Sequence, residues 1–209
     1  EALEDDQYKS LGSTYTQELM RAMREAEEIL SANVFNNAFT ANLGDGVPLI
    51  STAHPLWGGG TYSNKLAAPS DLTESALEDV LVMIRNAVND RNLPIPLNPV
   101  KLIHGTSNAF NAVRLLRSVQ RVGTGNNDIN AIRELGIFDT DPVTLRRLTD
   151  TDAWFVQTDA TMGFQFFTRK GLEKGGQEDF RTGNFEYKAR KRFSVGVTNP
   201  RAAYGSEGG

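Results

Sequence analysis

The segment FEYKARKRFSVGV, Phe185–Val197, alternates with period two. Phe185, Tyr187, Ala189, Phe193, Val195 and Val197 fall on one face, and Glu186, Lys188, Arg190, Arg192 and Ser194 on the other. Such alternation predicts one long, half-buried strand. At about 3.3 Å per residue it would run about 43 Å, well beyond the usual strand of about five or six residues.

The stretch TYTQELMRAMREAEEILSANVFN has the complementary character. Leu19, Ala22, Met23, Ala26, Ile29, Leu30 and Val34 recur at helical spacing, which predicts a one-faced helix over Thr14–Asn36. Thr14 with Gln17 offers a capping box, and Asn36-Asn37 an end. At 1.5 Å per residue the helix spans about 30 Å. A long helix near one end and a long strand near the other predict an elongated protein.

Between them the pattern is mixed. Residues 40–70 are rich in Gly, Pro, Ser and Asn, which predicts a long loop with a short strand at Pro48–Ser51. A second helix follows in DLTESALEDVLVMIRNAVND, with Leu77, Val80, Leu81, Ile84 and Val88 on its apolar face. VKLIHG predicts a buried strand. TSNAFNAVRLLRS predicts a third helix, capped by Thr106 or Ser107, with Phe110, Val113 and Leu116 on one face. VGTGNNDIN, residues 122–130, is turn chemistry. Further strands are expected at Thr144–Leu148, at Ala153–Thr158 and in MGFQFFTRK. The fold class is therefore α+β.

Composition narrows the function. The 209 residues suffice for one large domain or two small ones. With 39% hydrophobic and 23% charged residues, the chain is of the globular class. Its net charge of -4 gives no general footprint for nucleic acid. The absence of cysteine excludes disulfides, thiolate nucleophiles and cysteine zinc sites. No apolar run approaches the roughly 20 residues that cross a bilayer as a helix, and EALEDDQYK is acidic where a signal peptide is basic. The sequence begins at Glu1 rather than at a methionine, which points to a processed or trimmed product.

The densest cluster of chemically suggestive residues is DGVPLISTAHPLWGGGTYSNKL, Asp45–Leu66. Gly59 and Lys65 have the separation of a phosphate-binding loop, but Asn64 replaces its second glycine and Leu66 its magnesium-binding hydroxyl. GTGNND fails the dinucleotide fingerprint at Asp128. A hydrolase centred on Ser51 and His54, with Thr52 as another hydroxyl, lacks a nucleophile elbow. The simpler expectation is that His54 satisfies loop backbone groups. His54 and His104 have no metal-ligand spacing, and the pairs Asp139-Asp141 and Asp150-Asp152 lack the remainder of an EF-hand loop. Lys188, Arg190, Lys191 and Arg192 read as a solvated face or one paired with acidic neighbours. No catalytic, cofactor-binding or metal-binding residue is assigned, and no cofactor is expected.

The ordered set EDDQY, NNAF, DGVPLISTAHP, SNKLAAPSDLTESALE, AWF and KARKRFSVGVTNPRAAYGS runs along nearly the whole chain. It resembles the tailed-phage major capsid proteins, and most closely the phage Mu-like major head subunit family. The resemblance implies the Hong Kong 97-like fold. On that template 1–70 and 183–209 form a peripheral domain with the spine helix at about 14–36, and 71–182 an axial domain.

The implied function is an icosahedral shell subunit that assembles into hexamers and pentamers around DNA contacted without specificity. Decoration, scaffold or portal proteins would be further partners, no membrane is involved, and assembly takes place in the host cytoplasm. A shell subunit of an encapsulin-like nanocompartment is the alternative of the same fold. The N-terminal arm and extended loop that precede EDDQY in that family are expected to be missing here, which would weaken capsomer formation. The loop Asp45–Leu66 is then expected to contact neighbouring subunits.

Overall fold

The computed structural model describes residues 8–121, 128–138, 140–183 and 185–209. In chain order the elements are α1 (Tyr8–Asn36), β1 (His54–Pro55), β2 (Thr61–Tyr62), α2 (Glu74–Arg85), β3 (Pro99–His104), α3 (Ala109–Arg117) and α4 (Ala131–Glu134). They continue with β4 (Val143–Thr144), β5 (Trp154–Thr158), β6 (Phe164–Glu178), β7 (Phe185–Val197), a 3-10 turn at Pro200–Ala202 and β8 (Ala203–Ser206). The fold is mixed α and β. It divides into two compact units: the described part of Glu1–Ser31 with Phe166–Val195, and Ala32–Gln165 with Gly196–Gly209.

The larger unit is built on a four-stranded sheet in the order β4-β3-β5-β8. β5 lies antiparallel to both β3 and β8, while β4 runs parallel to β3. Because successive strand residues point to opposite faces, β5 sends Trp154 and Val156 into one core and Phe155 into another. On the first face they meet Leu77, Val80, Leu81 and Ile84 of α2 and Leu115 and Leu116 of α3. On the second, Phe155 meets Phe35, Phe39, Leu49 and Ile50. A sheet covered on both faces explains why AWFV is apolar without interruption.

Local chemistry sets several boundaries. Thr73 accepts from the Ala76 amide at 3.2 Å and caps α2. That helix ends at Arg85, so Val88 lies beyond it and bridges Pro94 instead. In α3 the expected caps are not used: Ser107 donates to the Thr151 carbonyl, and Asn108 holds the N-cap position without a side-chain bond. The inward face differs as well. Ala112, Leu115 and Leu116 are buried, whereas Phe110 is 79% exposed and Val113 is 50% exposed. The segment offers two apolar stripes sharing Leu116, and Asn111, which donates to the Leu72 carbonyl at 2.6 Å, helps fix the one that packs.

Two expected strands are shortened or absent. β4 stops at Thr144, where its parallel pairing with His104 ends, and Leu145 to Leu148 form a turn. Pro48–Ser51 is not a strand. Its polar groups are met elsewhere: Ile50 N–H donates to the Ala38 carbonyl at 2.8 Å, and Ser51 N–H donates to the Asn64 side chain at 2.8 Å. Of residues 122–130, only 128–130 are described; Asn130 caps α4 by accepting from Ile132 and Arg133.

In the smaller unit β6 and β7 form a two-stranded sheet. Their connection is far too short for a parallel crossover, so they make a hairpin. β7 spans Phe185–Val197 as its alternation predicts. Phe166 and Phe193 stack at 5.4 Å with an interplanar angle of 9°. Lys188, Arg190 and Arg192 are exposed. Lys191 does not share that basic face, because its position in the alternation turns it to the opposite side. There its ammonium sits 5.4 Å from the Phe166 ring and 5.6 Å from the Phe193 ring, and 2.7 Å from Glu27 of α1. Gly12 permits a close approach of α1, since a Cβ there would lie 3.2 Å from the Tyr187 hydroxyl.

Candidate functional site

The loop Asp45–Leu66 lies in the larger unit and is organised by two buried side chains, His54 and Asn64. A turn at Asp45-Gly46 begins it, with Gly46 at φ 87°, the left-handed region that favours glycine. β1 and β2 pair through His54–Tyr62 and Pro55–Thr61, and the tip closes with Leu56 N–H donating to the Gly60 carbonyl at 3.1 Å. Gly59 and Gly60 have φ of 88° and 86°. The triple glycine therefore makes a tight hairpin tip, not a phosphate cradle. Trp57 stands on that tip, 93% exposed.

His54 is fully buried. Its Nδ1 is 2.7 Å from Oδ2 of Asp45, and its Nε2 is 3.2 Å from the Leu49 carbonyl and 3.1 Å from Oδ1 of Asn64. Both atoms facing Nε2 are acceptors, so Nε2 carries a proton. The imidazole also stacks on Tyr62 at 4.9 Å. Both ring nitrogens are thus engaged, and neither bonds the Ser51 hydroxyl, which accepts from the Ala53 amide at 3.2 Å. Thr52 is exposed. The structure does not assemble a Ser51–His54 nucleophile and base.

Asn64 stands where a phosphate-binding loop would have glycine, and it has a different task. Its Nδ2 lies within 2.7 Å of the Leu49 carbonyl, 2.9 Å of the Ala203 carbonyl and 3.0 Å of the Pro200 carbonyl. Its Oδ1 accepts from Ser51 N–H. These partners fix the orientation of the amide. One side chain thereby joins the loop to β8, a connection reinforced by Gly205 N–H donating to the Asn64 carbonyl at 3.2 Å. Lys65 is engaged nearby: its ammonium is 2.6 Å from Glu207 and 5.1 Å from the Phe39 ring centroid.

Next to the hairpin an open cavity of ≈ 470 Å³ is lined by residues including Asp45, Trp57, Tyr62, Asp90 and Arg201. Arg201 is 9% exposed. Its Nε donates to the Val88 carbonyl at 2.7 Å, its Nη2 reaches Asp90 Oδ1 at 2.9 Å, and its guanidinium covers the Tyr62 ring at 4.4 Å. The buried Tyr62 hydroxyl has no hydrogen-bond partner among the described residues. Burial pushes this phenol well above its ordinary range, partly opposed by the Arg201 charge. Burial likewise pushes the Tyr204 hydroxyl up to about 12.

The other sequence candidates lie apart from this loop. His104 is buried, with Nδ1 donating to the Gly105 carbonyl at 2.7 Å. Asp150 accepts from the amides of Asp152 and Ala153, which is turn chemistry. Asp141 pairs with Arg117, and Asp139 lies outside the described residues. Among the described residues no three His, Cys, Asp or Glu side chains cluster to hold a metal, and no helix is long and apolar enough to cross a membrane. Periodicity gave no hint of the roles of Asn64 and Arg201, because each acts through contacts distant in the chain.

The arrangement holds backbone together and presents an exposed hairpin tip, as a structural subunit would. A model of phage capsid proteins matches residues 1–206, and the chain belongs to that family. It is a structural component of the phage virion, in a class without enzymatic activity. No match was found among curated proteins.

Proposed function

We propose that this chain is the major head subunit of a tailed phage of the Mu-like kind, with a Hong Kong 97-like fold. It assembles into hexamers and pentamers of an icosahedral shell around DNA. The match to phage capsid proteins across residues 1–206 carries this reading. A 29-residue helix and a hairpin with strands of 15 and 13 residues support it. In the assembled shell, 1–70 and 183–209 serve as the peripheral domain, with α1 as its spine, and 71–182 as the axial domain. Contact units within one chain need not coincide with domains defined by assembly.

The hairpin β1–β2 contacts a neighbouring subunit, and His54 and Asn64 hold it in the required shape. The phage family match lends no support to the nanocompartment alternative, and the engaged nitrogens of His54 lend none to a hydrolase. Electron microscopy of the purified protein tests the reading. Capsomers or closed shells are expected; a protein that stays monomeric under every assembly condition overturns it.

A further inference from the structure

We propose that the cavity beside Trp57 receives a lysine or arginine from the basic face of β7 on a second copy of this chain. The inference rests on the shell reading above and assigns the chemistry of one contact within it. The cavity walls suit a cation. Trp57 presents an exposed indole, whose face attracts ammonium and guanidinium groups. Asp90 is 68% exposed, and only its Oδ1 is engaged by Arg201, so Oδ2 has no hydrogen-bond donor among the described residues.

The cavity's own cation, Arg201, is already held by Val88, Asp90 and the Tyr62 ring, so it leaves the indole free. The complementary surface is on the same chain. Lys188, Arg190 and Arg192 occupy alternate, exposed positions of β7, and none forms an ion pair with a described residue. Alternate strand residues stand about 6.6 Å apart on one face, so one can enter while its neighbours meet the rim. A cavity on one copy and a strand face on another form a heterologous contact, the kind that builds rings.

Self-association measured by sedimentation velocity against concentration and salt tests the proposal. Trp57→Ala, Asp90→Lys and the triple variant Lys188→Glu/Arg190→Glu/Arg192→Glu are each expected to raise the concentration for half-association by about tenfold or more. Combining Asp90→Lys with the triple variant should recover most of the loss. Association of Trp57→Ala and the triple variant at the wild-type concentration overturns the proposal, as does a combined variant no better than the poorer parent.

Asp90→Lys removes a partner of Arg201, so thermal melting is measured for every variant. If Asp90→Lys fails to fold, Trp57→Ala and the triple variant decide. Wild-type protein that never associates refutes the shell reading itself. Wild-type association that these variants leave unchanged refutes only this contact.

Discussion

The ammonium of Lys191 lies 2.7 Å from the carboxylate of Glu27, joining β7 to α1 at the one position where the apolar face of the strand carries a charge. Its ammonium also sits over the Phe166 and Phe193 rings. A lysine can bury its methylenes while its charge finds a partner, so the apparent break in FEYKARKRFSVGV is a bonded position.

Replacing Lys191 with Ala therefore removes both packing and an ion pair. The expected loss is about 1–2 kcal/mol of unfolding free energy. Lys191→Met should lose less, because the packing survives. A double-mutant cycle with Glu27→Gln in urea unfolding should give a coupling of at most about 1 kcal/mol. A coupling near zero would show that the carboxylate is incidental to the contact.

Asn64 supplies the loop with bonds that a neighbouring strand would otherwise provide. Asn64→Leu leaves the Leu49, Ala203 and Pro200 carbonyls and the Ser51 amide without this partner. Each unsatisfied buried group costs about 1–3 kcal/mol, although relaxation and water recover part of it. A net destabilisation of about 3 kcal/mol or more is expected, with faster amide exchange at Ser51. Asn64→Asp should rescue little, because its second oxygen would face three carbonyls. Wild-type melting and exchange in Asn64→Leu would contradict this role.

Gly205 pairs with Phe155 where β8 closes on β5. A Cβ at this position would lie 2.5 Å from the Trp154 carbonyl oxygen and 3.0 Å from Phe155 Cδ1. Gly205→Ala must push the two strands apart, at a cost of about 1–3 kcal/mol. Gly171→Ala is the control: nothing lies within 4 Å of a Cβ there, and a change within about 0.5 kcal/mol is expected. Calorimetry of the two variants separates steric overlap from a general intolerance of alanine.

These sites mark what could be read from residue order alone. Alternation located β7 to the residue, because a strand with one partly covered apolar face and one exposed polar face writes its geometry into consecutive residues. The long helix was legible from Leu19 to Val34, but its start at Tyr8 was not. Gly12 and Ser13 look like helix breakers until the approach of Tyr187 gives Gly12 a packing reason. Phe110 and Val113 misled, since helical spacing reports that a stripe exists but not which stripe meets the sheet. Ala203–Ser206 carried too few residues to announce a strand, and its pairing with β5 comes from the fold. At the loop, the engagement of His54 was foreseeable as a class. Its particular partners, and the role of Asn64, depend on segments up to 139 residues apart.

The two buried phenols make stability fall at alkaline pH. Burial raises the Tyr204 hydroxyl to about 12 and moves the Tyr62 hydroxyl upward as well, against an unfolded value near 10. Since the folded chain holds these protons more tightly, their contribution is fully present below about pH 10 and is lost as pH rises through the folded values. The melting temperature should thus decline above pH 10, while Tyr62→Phe and Tyr204→Phe each decline less steeply. At pH 7 Tyr62→Phe should change stability by no more than about 0.5 kcal/mol, because it deletes a hydroxyl that lacks a partner among the described residues. The decisive quantity is the difference between wild type and variant at each pH. A Tyr62→Phe curve parallel to wild type from pH 9 to 12 would refute the assignment.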